Sequence, residues 1–217
     1  MLLGDYDLFL TCYDKLTADY FAVQRLWKHT PKRFELDGFL NYLYRNAATT
    51  PSKQYGKKKP RHLTTAERRA EVRRYAKQFG RDWDNDAIGD DDASWRSKCA
   101  NRVRQLLDKN KRSGITRPQF KELLLQTNSM RSYRVNLAKA VNAQNHTLGD
   151  IRQMLQHLVD ERLPIQRRMA DCSGWITGAG KSAIQELVGF RWPDRYPLRN
   201  TTANAGLRFF GFDVRVG

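Results

Sequence analysis

Apolar residues recur three and four places apart along almost the whole chain, and two-residue alternation is scarce. The first period gathers side chains onto one stripe of an α-helix, while a half-buried strand needs the second. The windows DYDLFLTCYDKL (5–16), TADYFAVQRLWKH (17–29) and FELDGFLNYLYRNA (34–47) predict two or three helices before residue 47. Thr64 and Glu67 stand at capping-box spacing, which predicts a helix from 65 that Gly80 ends. A long helix is expected over 94–111 with Trp95, Val103, Leu106 and Leu107 inward. Others are expected over 118–127, 132–143, 148–161, 182–189 and 201–210. Only FDVRV, 212–216, has the alternation to start a strand. The predicted fold is therefore mostly α and multi-helical. It reads as an N-terminal helical segment (1–47), a linker or long exposed loop rich in Pro, Gly and basic residues (48–63), and a helical domain (64–217).

Charge narrows the partners. Lys and Arg number 39 against 23 Asp and Glu, for a formal net charge of +16 and a pI near 10.0, so the chain favours polyanions, nucleic acid or anionic membrane. Residues 53–81 alone hold eleven Lys or Arg and only Glu67 and Glu71 as acids. Arg69, Arg73 and Lys77 are four apart and share a helix face, behind an arm carrying Lys57, Lys58 and Lys59. Such a face suits a phosphate backbone, with binding that weakens steeply in salt. A solvated helix face beside a basic loop is the plainer alternative.

Metal and redox signals are weak. Cys12, Cys99 and Cys172 are isolated and odd in number, and the four His are scattered, so neither a disulfide framework nor a zinc site is expected. The acidic start does not read as a signal peptide, and no apolar run has membrane-spanning length; a reduced, cytoplasmic location and no membrane partner are expected. Asp82, Asp84 and Asp86 alternate like calcium ligands, but Ala87 and Ala93 stand where Gly and a bidentate Glu belong. LLDKNKRSGITRPQFKELL (106–124) has the outline of an EF-hand. Lys111 and Arg112 sit inside its loop, however, and Gln119 replaces the Glu, so a metal-free turn with Thr116 as the next N-cap is expected. No cofactor site is read.

SGWITGAGKSAIQEL, 173–187, decides between nucleotide and DNA. A P-loop needs its first Gly at 175, where Trp175 stands; it also needs a preceding buried strand, and RLPIQRRMADCSG reads as charged helix. The alternative is a hairpin between two helices. Gly178 and Gly180 are expected at positive φ, letting the backbone approach a phosphate. The amides and dipole at the start of the next helix add to that grip, with Lys181 and Ser182 as further contacts.

Downstream, FRWPDRYPLRNTTANAGLRFFGF (190–212) gives the hairpin a context. With it, the last 45 or so residues resemble the helix-hairpin-helix DNA-glycosylase-like superfamily. Gly178-Ala179-Gly180 stands as the hairpin, Asn200 as the cap of the next helix, Ala203, Leu207 and Phe210 as its inner face, and Gly211 as its stop. PxxYPLxN, Pro193 to Asn200, is more similar to helix-hairpin-helix modules beside motor or nuclease domains in restriction-type defence proteins. The resemblance implies a helix-hairpin-helix at about 163–211, double-stranded DNA as ligand, and a motor or nuclease domain or subunit as partner. It departs from the family's enzymes: Asn200 occupies the place of their catalytic Asp, and Ser182 stands near the place of their hairpin Lys. A DNA-recognition module in restriction, defence or repair is therefore expected, with no catalytic residue assigned. A divergent glycosylase using another carboxylate and an RNA-binding or basic protein-interaction module are the alternatives. Trp175, Trp192, Tyr196 and Asn200 form a candidate pocket for a flipped base.

Overall fold

The computed structural model describes residues 3–45, 51–85 and 91–215. Among them are eleven α-helices, one short 3₁₀ helix and no strand. The helices are α1 (Leu3–Phe21), α2 (Lys32–Arg45), α3 (Thr65–Asp84), α4 (Asp91–Ser113), α5 (Arg117–Leu125), α6 (Asn128–Ser132), α7 (Arg134–Val141), α8 (Leu148–Leu158), α9 (Ile165–Cys172), α10 (Lys181–Arg191) and α11 (Thr201–Phe209). No described helix is long and apolar enough to cross a membrane. The chain divides into two compact units, Met1–Arg96 with Tyr196–Gly217, and Ser97–Arg195.

In the first unit the apolar period becomes an aromatic core. Tyr6, Phe9, Tyr13, Leu16 and Tyr20 are the buried stripe of α1, and Val72, Tyr75, Ala76 and Phe79 that of α3. Phe39 of α2 lies 5.6 Å from Phe79 and stacks at 6.0 Å on Phe210. Gly206 of α11 faces Leu40 so closely that a Cβ would displace it.

The windows 5–16 and 17–29 form one helix that stops at Phe21, and a buried carboxylate organises the residues beyond it. Glu35 accepts from Leu26 N–H (2.8 Å), Trp27 N–H (3.0 Å) and the Tyr20 hydroxyl (3.0 Å), with Arg25 at 3.2 Å. Burial beside that anion pushes the Tyr20 phenol well above its ordinary range. These bonds hold 22–27 in an irregular path that apolar spacing alone reads as helix.

Two other expectations are corrected. The capping box at Thr64 and Glu67 is present, but α3 runs through Gly80 to Asp84. Gly80 is a packing glycine, because a Cβ there would meet Gln24 Nε2 at 2.6 Å. Of the expected exposed loop 48–63, residues 48–50 lie outside the described ones and 57–63 has neither helix nor strand, with Lys57, Lys58 and Lys59 exposed, but the part before it is ordered. Pro51–Gly56 is a 3₁₀ helix packed on α11 and α2, with Ser52 buried. Arg208 of α11 donates to the carbonyls of Tyr55, Lys58 and Val214, and Arg61 N–H donates to Arg208 O. The basic side chains of this stretch are solvated, while its backbone carbonyls bind Arg208.

α11 begins and ends as its residues dictate. Asn200 Oδ1 accepts from Ala203 N–H at 2.9 Å. At the other end Phe212 N–H donates to Leu207 O and Gly211 N–H to Arg208 O, with Gly211 at φ 84°, a Schellman stop. Residues 212–215, next in the chain, are not strand.

In the second unit α10 is the central helix: every residue from Ala183 to Phe190 is buried. Its Glu186 is also buried, and the carboxylate accepts from the amides of Asn128 and Ser129 at the start of α6. Thr116 caps α5 in a reciprocal box with Gln119, the residue that breaks the calcium pattern. Gly114, at φ 73°, ends α4. Thr147 and Asp150 form a third box, on α8.

Candidate nucleic-acid interface

The stretch 173–180 connects α9 to α10, so a helix stands where a P-loop needs a strand. Ile176 and Ala179 point inward, 1% and 0% exposed, and Ala179 N–H closes a turn on Ile176 O at 3.0 Å. Thr177 N–H donates to His146 Nε2 at 2.8 Å, which ties the turn to the loop before α8. That bond requires an imidazole with an unprotonated Nε2.

The two glycines differ, which corrects the expectation of positive φ at both. Gly178 has φ 93° and presses on α7, where a Cβ would collide with the Asn136 carbonyl and approach Ala140 N to 3.0 Å. Gly180 is the N-cap of α10 at φ −74° and ψ −176°, extended backbone open to any residue, and no atom would lie within 4 Å of a Cβ there. Gly178 thus locks the turn against its own unit, and Gly180 faces outward. Gly180, Lys181 and Ser182 are all exposed. The N-cap offers no side-chain oxygen, so the first amides of α10 lack the capping bond a Ser or Asp would supply. Exposed amides, the positive end of a helix dipole, a Lys and a hydroxyl converge there, a chemistry suited to a phosphate.

The basic stretch lies in the first unit. Lys57, Lys58 and Lys59 are exposed on the strap held by Arg208; Lys58 Nζ reaches Gln54. Arg69, Arg73 and Lys77 are exposed along α3 and line a shallow depression of about 470 Å³ with Arg74 and two alanines. Their charges are not equally available. Arg69 pairs with Asp19 at 2.9 Å, sharing it with Arg68. Arg74 pairs with Glu71 and lies over the Tyr75 ring. Among the described residues Arg73 and Lys77 have no ion-pair partner.

Of the candidate base-pocket residues, Trp175 and Trp192 belong to one unit and Tyr196 and Asn200 to the other. Asn200 is committed to capping α11. The Tyr196 ring lies 6.5 Å from that of Tyr6 in the same unit. In the other unit Trp192 has Arg168 and Arg191 over its ring, at 5.1 and 5.6 Å. Trp175 borders an open groove of about 840 Å³ with His157, Gln153, Gln156, Lys111 and Arg162. His157 Nε2 lies 3.0 Å from Asp171 Oδ2, and its ring is 5.7 Å from that of Trp175. Sequence reading missed His157 and Asp171. They are fourteen apart on different helices, a spacing with no local signature.

No cluster of three or more His, Cys, Asp or Glu able to hold a metal occurs among the described residues. Asp82 is helical and accepts from the Tyr42 hydroxyl, Asp84 ends α3, and Asp86 lies outside the described residues. Cys172 is fully buried and its thiol is pushed up to about 12 by that burial, so it is protonated and unreactive near neutrality. Set against known proteins, the chain matches no family model, no curated protein and no solved structure.

Proposed function

We propose that the chain binds the backbone of duplex DNA, as a recognition module in a restriction, defence or repair system. The observation that carries this reading is the outward end of α10. Gly180, Lys181 and Ser182 are exposed together on an uncapped helix N-terminus, while Ile176, Gly178 and Ala179 anchor the turn behind it. A preorganised turn loses little freedom on gripping a phosphate. Arg73, Lys77 and the 57–59 lysines supply the sequence-independent electrostatic attraction. The likeness of 173–212 to helix-hairpin-helix modules supports DNA as the polyanion, and the restriction, defence or repair setting rests on that likeness.

A gel-shift titration across a salt series, with duplex DNA, duplex RNA and single strands as probes, tests the reading. Duplex DNA is expected to bind tightest, with affinity falling linearly in log–log form as salt rises. Equal affinity for all three probes, or an affinity indifferent to salt, overturns it.

A further inference from the structure

The groove beside Trp175 has a chemistry that backbone binding does not use. All its lining comes from one unit: the end of α4, the second half of α8, the loop after it, and the turn before α10. It is an open groove of about 840 Å³, roomy enough for one nucleotide lying against its wall. Three kinds of surface meet there. Trp175 is half-buried and offers a flat aromatic face, with the His157 ring inclined to it at 52°. Asp171 Oδ2 holds that imidazole at Nε2. Gln153 and Gln156 stand one turn apart on α8, both exposed, each with an amide that donates and accepts. Lys111 contributes a cation with no ion-pair partner among the described residues.

The acids of the lining are already matched. Asp160 takes a bidentate grip from Arg162 at 2.8 and 2.7 Å, and Glu161 accepts from Arg195 at 2.6 Å. What remains open to a ligand is a stacking face, a hydrogen-bonding edge and one positive charge. A bare phosphate would find Lys111 beside an Arg162 already held by Asp160, and an aliphatic ligand would leave the glutamines unmatched. A nucleotide has a matching part for each surface.

We propose that this groove receives one unpaired nucleotide, its base stacked on Trp175 and its edge met by Gln153 and Gln156, with Lys111 on its phosphate. The proposal rests on the DNA-binding reading for the delivery of that nucleotide. Trp175 is five residues from Gly180, so the strand held at the start of α10 is the natural donor. A bulge or mismatch should be preferred, because an already unpaired base costs least to extrude.

Anisotropy titrations with labelled probes test this: a fully paired duplex, the same duplex with one bulged A, C, G or T, and a short single strand. The wild-type chain is expected to favour the bulged duplex about tenfold, the size of one base–aromatic stack. Trp175→Ala should erase that preference and leave affinity for the paired duplex unchanged, while Trp175→Phe keeps most of it. Gln153→Ala with Gln156→Ala, both at exposed positions, should flatten differences among bulged A, C, G and T. Circular dichroism melts confirm that each variant is folded. Equal binding of paired and bulged duplex by the wild type, or a preference that survives Trp175→Ala, overturns the pocket and leaves duplex binding standing. Trp175-dependent binding of the single strand without duplex binding supports the pocket and overturns the duplex reading. Binding to none of the probes overturns both.

Discussion

Gly178 and Gly180 are two residues apart in sequence and are expected to respond oppositely to the same substitution. At Gly178, alanine must hold φ near 93°, a left-handed conformation costing about 1–2 kcal/mol for a residue with a Cβ. Its methyl must also displace backbone, the Asn136 carbonyl and the Ala140 amide, and such overpacking adds about 1–3 kcal/mol. The expected loss is thus about 2–5 kcal/mol, a melting temperature lower by about 4–20 °C for a chain of this size. At Gly180 the backbone is already extended and the space is open, so Gly180→Ala costs only the poorer N-cap, about 0.5–1 kcal/mol. That methyl nevertheless stands where a phosphate oxygen would meet the α10 amides, and one charge-assisted hydrogen bond is worth about tenfold in affinity. Thermal melts by circular dichroism and duplex titrations on both variants separate the effects. If the two variants melt together, the packing argument for Gly178 is refuted. If Gly180→Ala binds duplex like the wild type, no phosphate approaches Gly180.

Replacing Arg73 and Lys77 together by Ala should lower the slope of log affinity against log salt by about 2 with little change in melting, since both side chains are exposed; an unchanged slope removes α3 from the interface. Asn200→Ala should cost about 1 kcal/mol by freeing the Ala203 amide, and Asn200→Asp should not; equal melting of the two variants counts against the cap. Hydrogen bonds from Thr64 and Thr147 hold the carboxyls of Glu67 and Asp150 below the usual carboxylate range. Their contribution is therefore complete above the unfolded pKa values, about 4, and is lost as pH falls through the lower folded values. Thr147→Val should flatten the acid limb of a stability–pH profile, and a limb of wild-type steepness would speak against the box on α8.

Helix content was legible because its signals are local. Thr64 with Glu67, Thr116, Asn200 and Gly211 each act within a few residues of themselves, and each caps or stops a helix as its spacing predicts. Gly80 misled because a stop glycine and a packing glycine are one residue type; only Gln24, distant in sequence, distinguishes them. The 51–63 strap misled for a related reason: its partner Arg208 lies some 150 residues away, and composition carries no trace of that pairing. At the turn before α10, spacing located two glycines but could not tell which faces the protein. The surroundings of Trp175 were illegible, since His157, Asp171 and Lys111 meet only through tertiary packing.

The three carbonyls gathered by Arg208 bear on how the polypeptide is made. The first unit is discontinuous: residues 196–217 complete a core begun by residues 1–96, and the whole of 97–195 is synthesised in between. Until α11 emerges, Phe39, Phe79 and the 51–63 strap lack Phe210, Gly206 and the Arg208 guanidinium. The second unit assembles from a contiguous stretch and has no such wait. Ribosome-bound chains halted before residue 196 should therefore leave the N-terminal helices sensitive to protease, and release of residues 196–217 should close them.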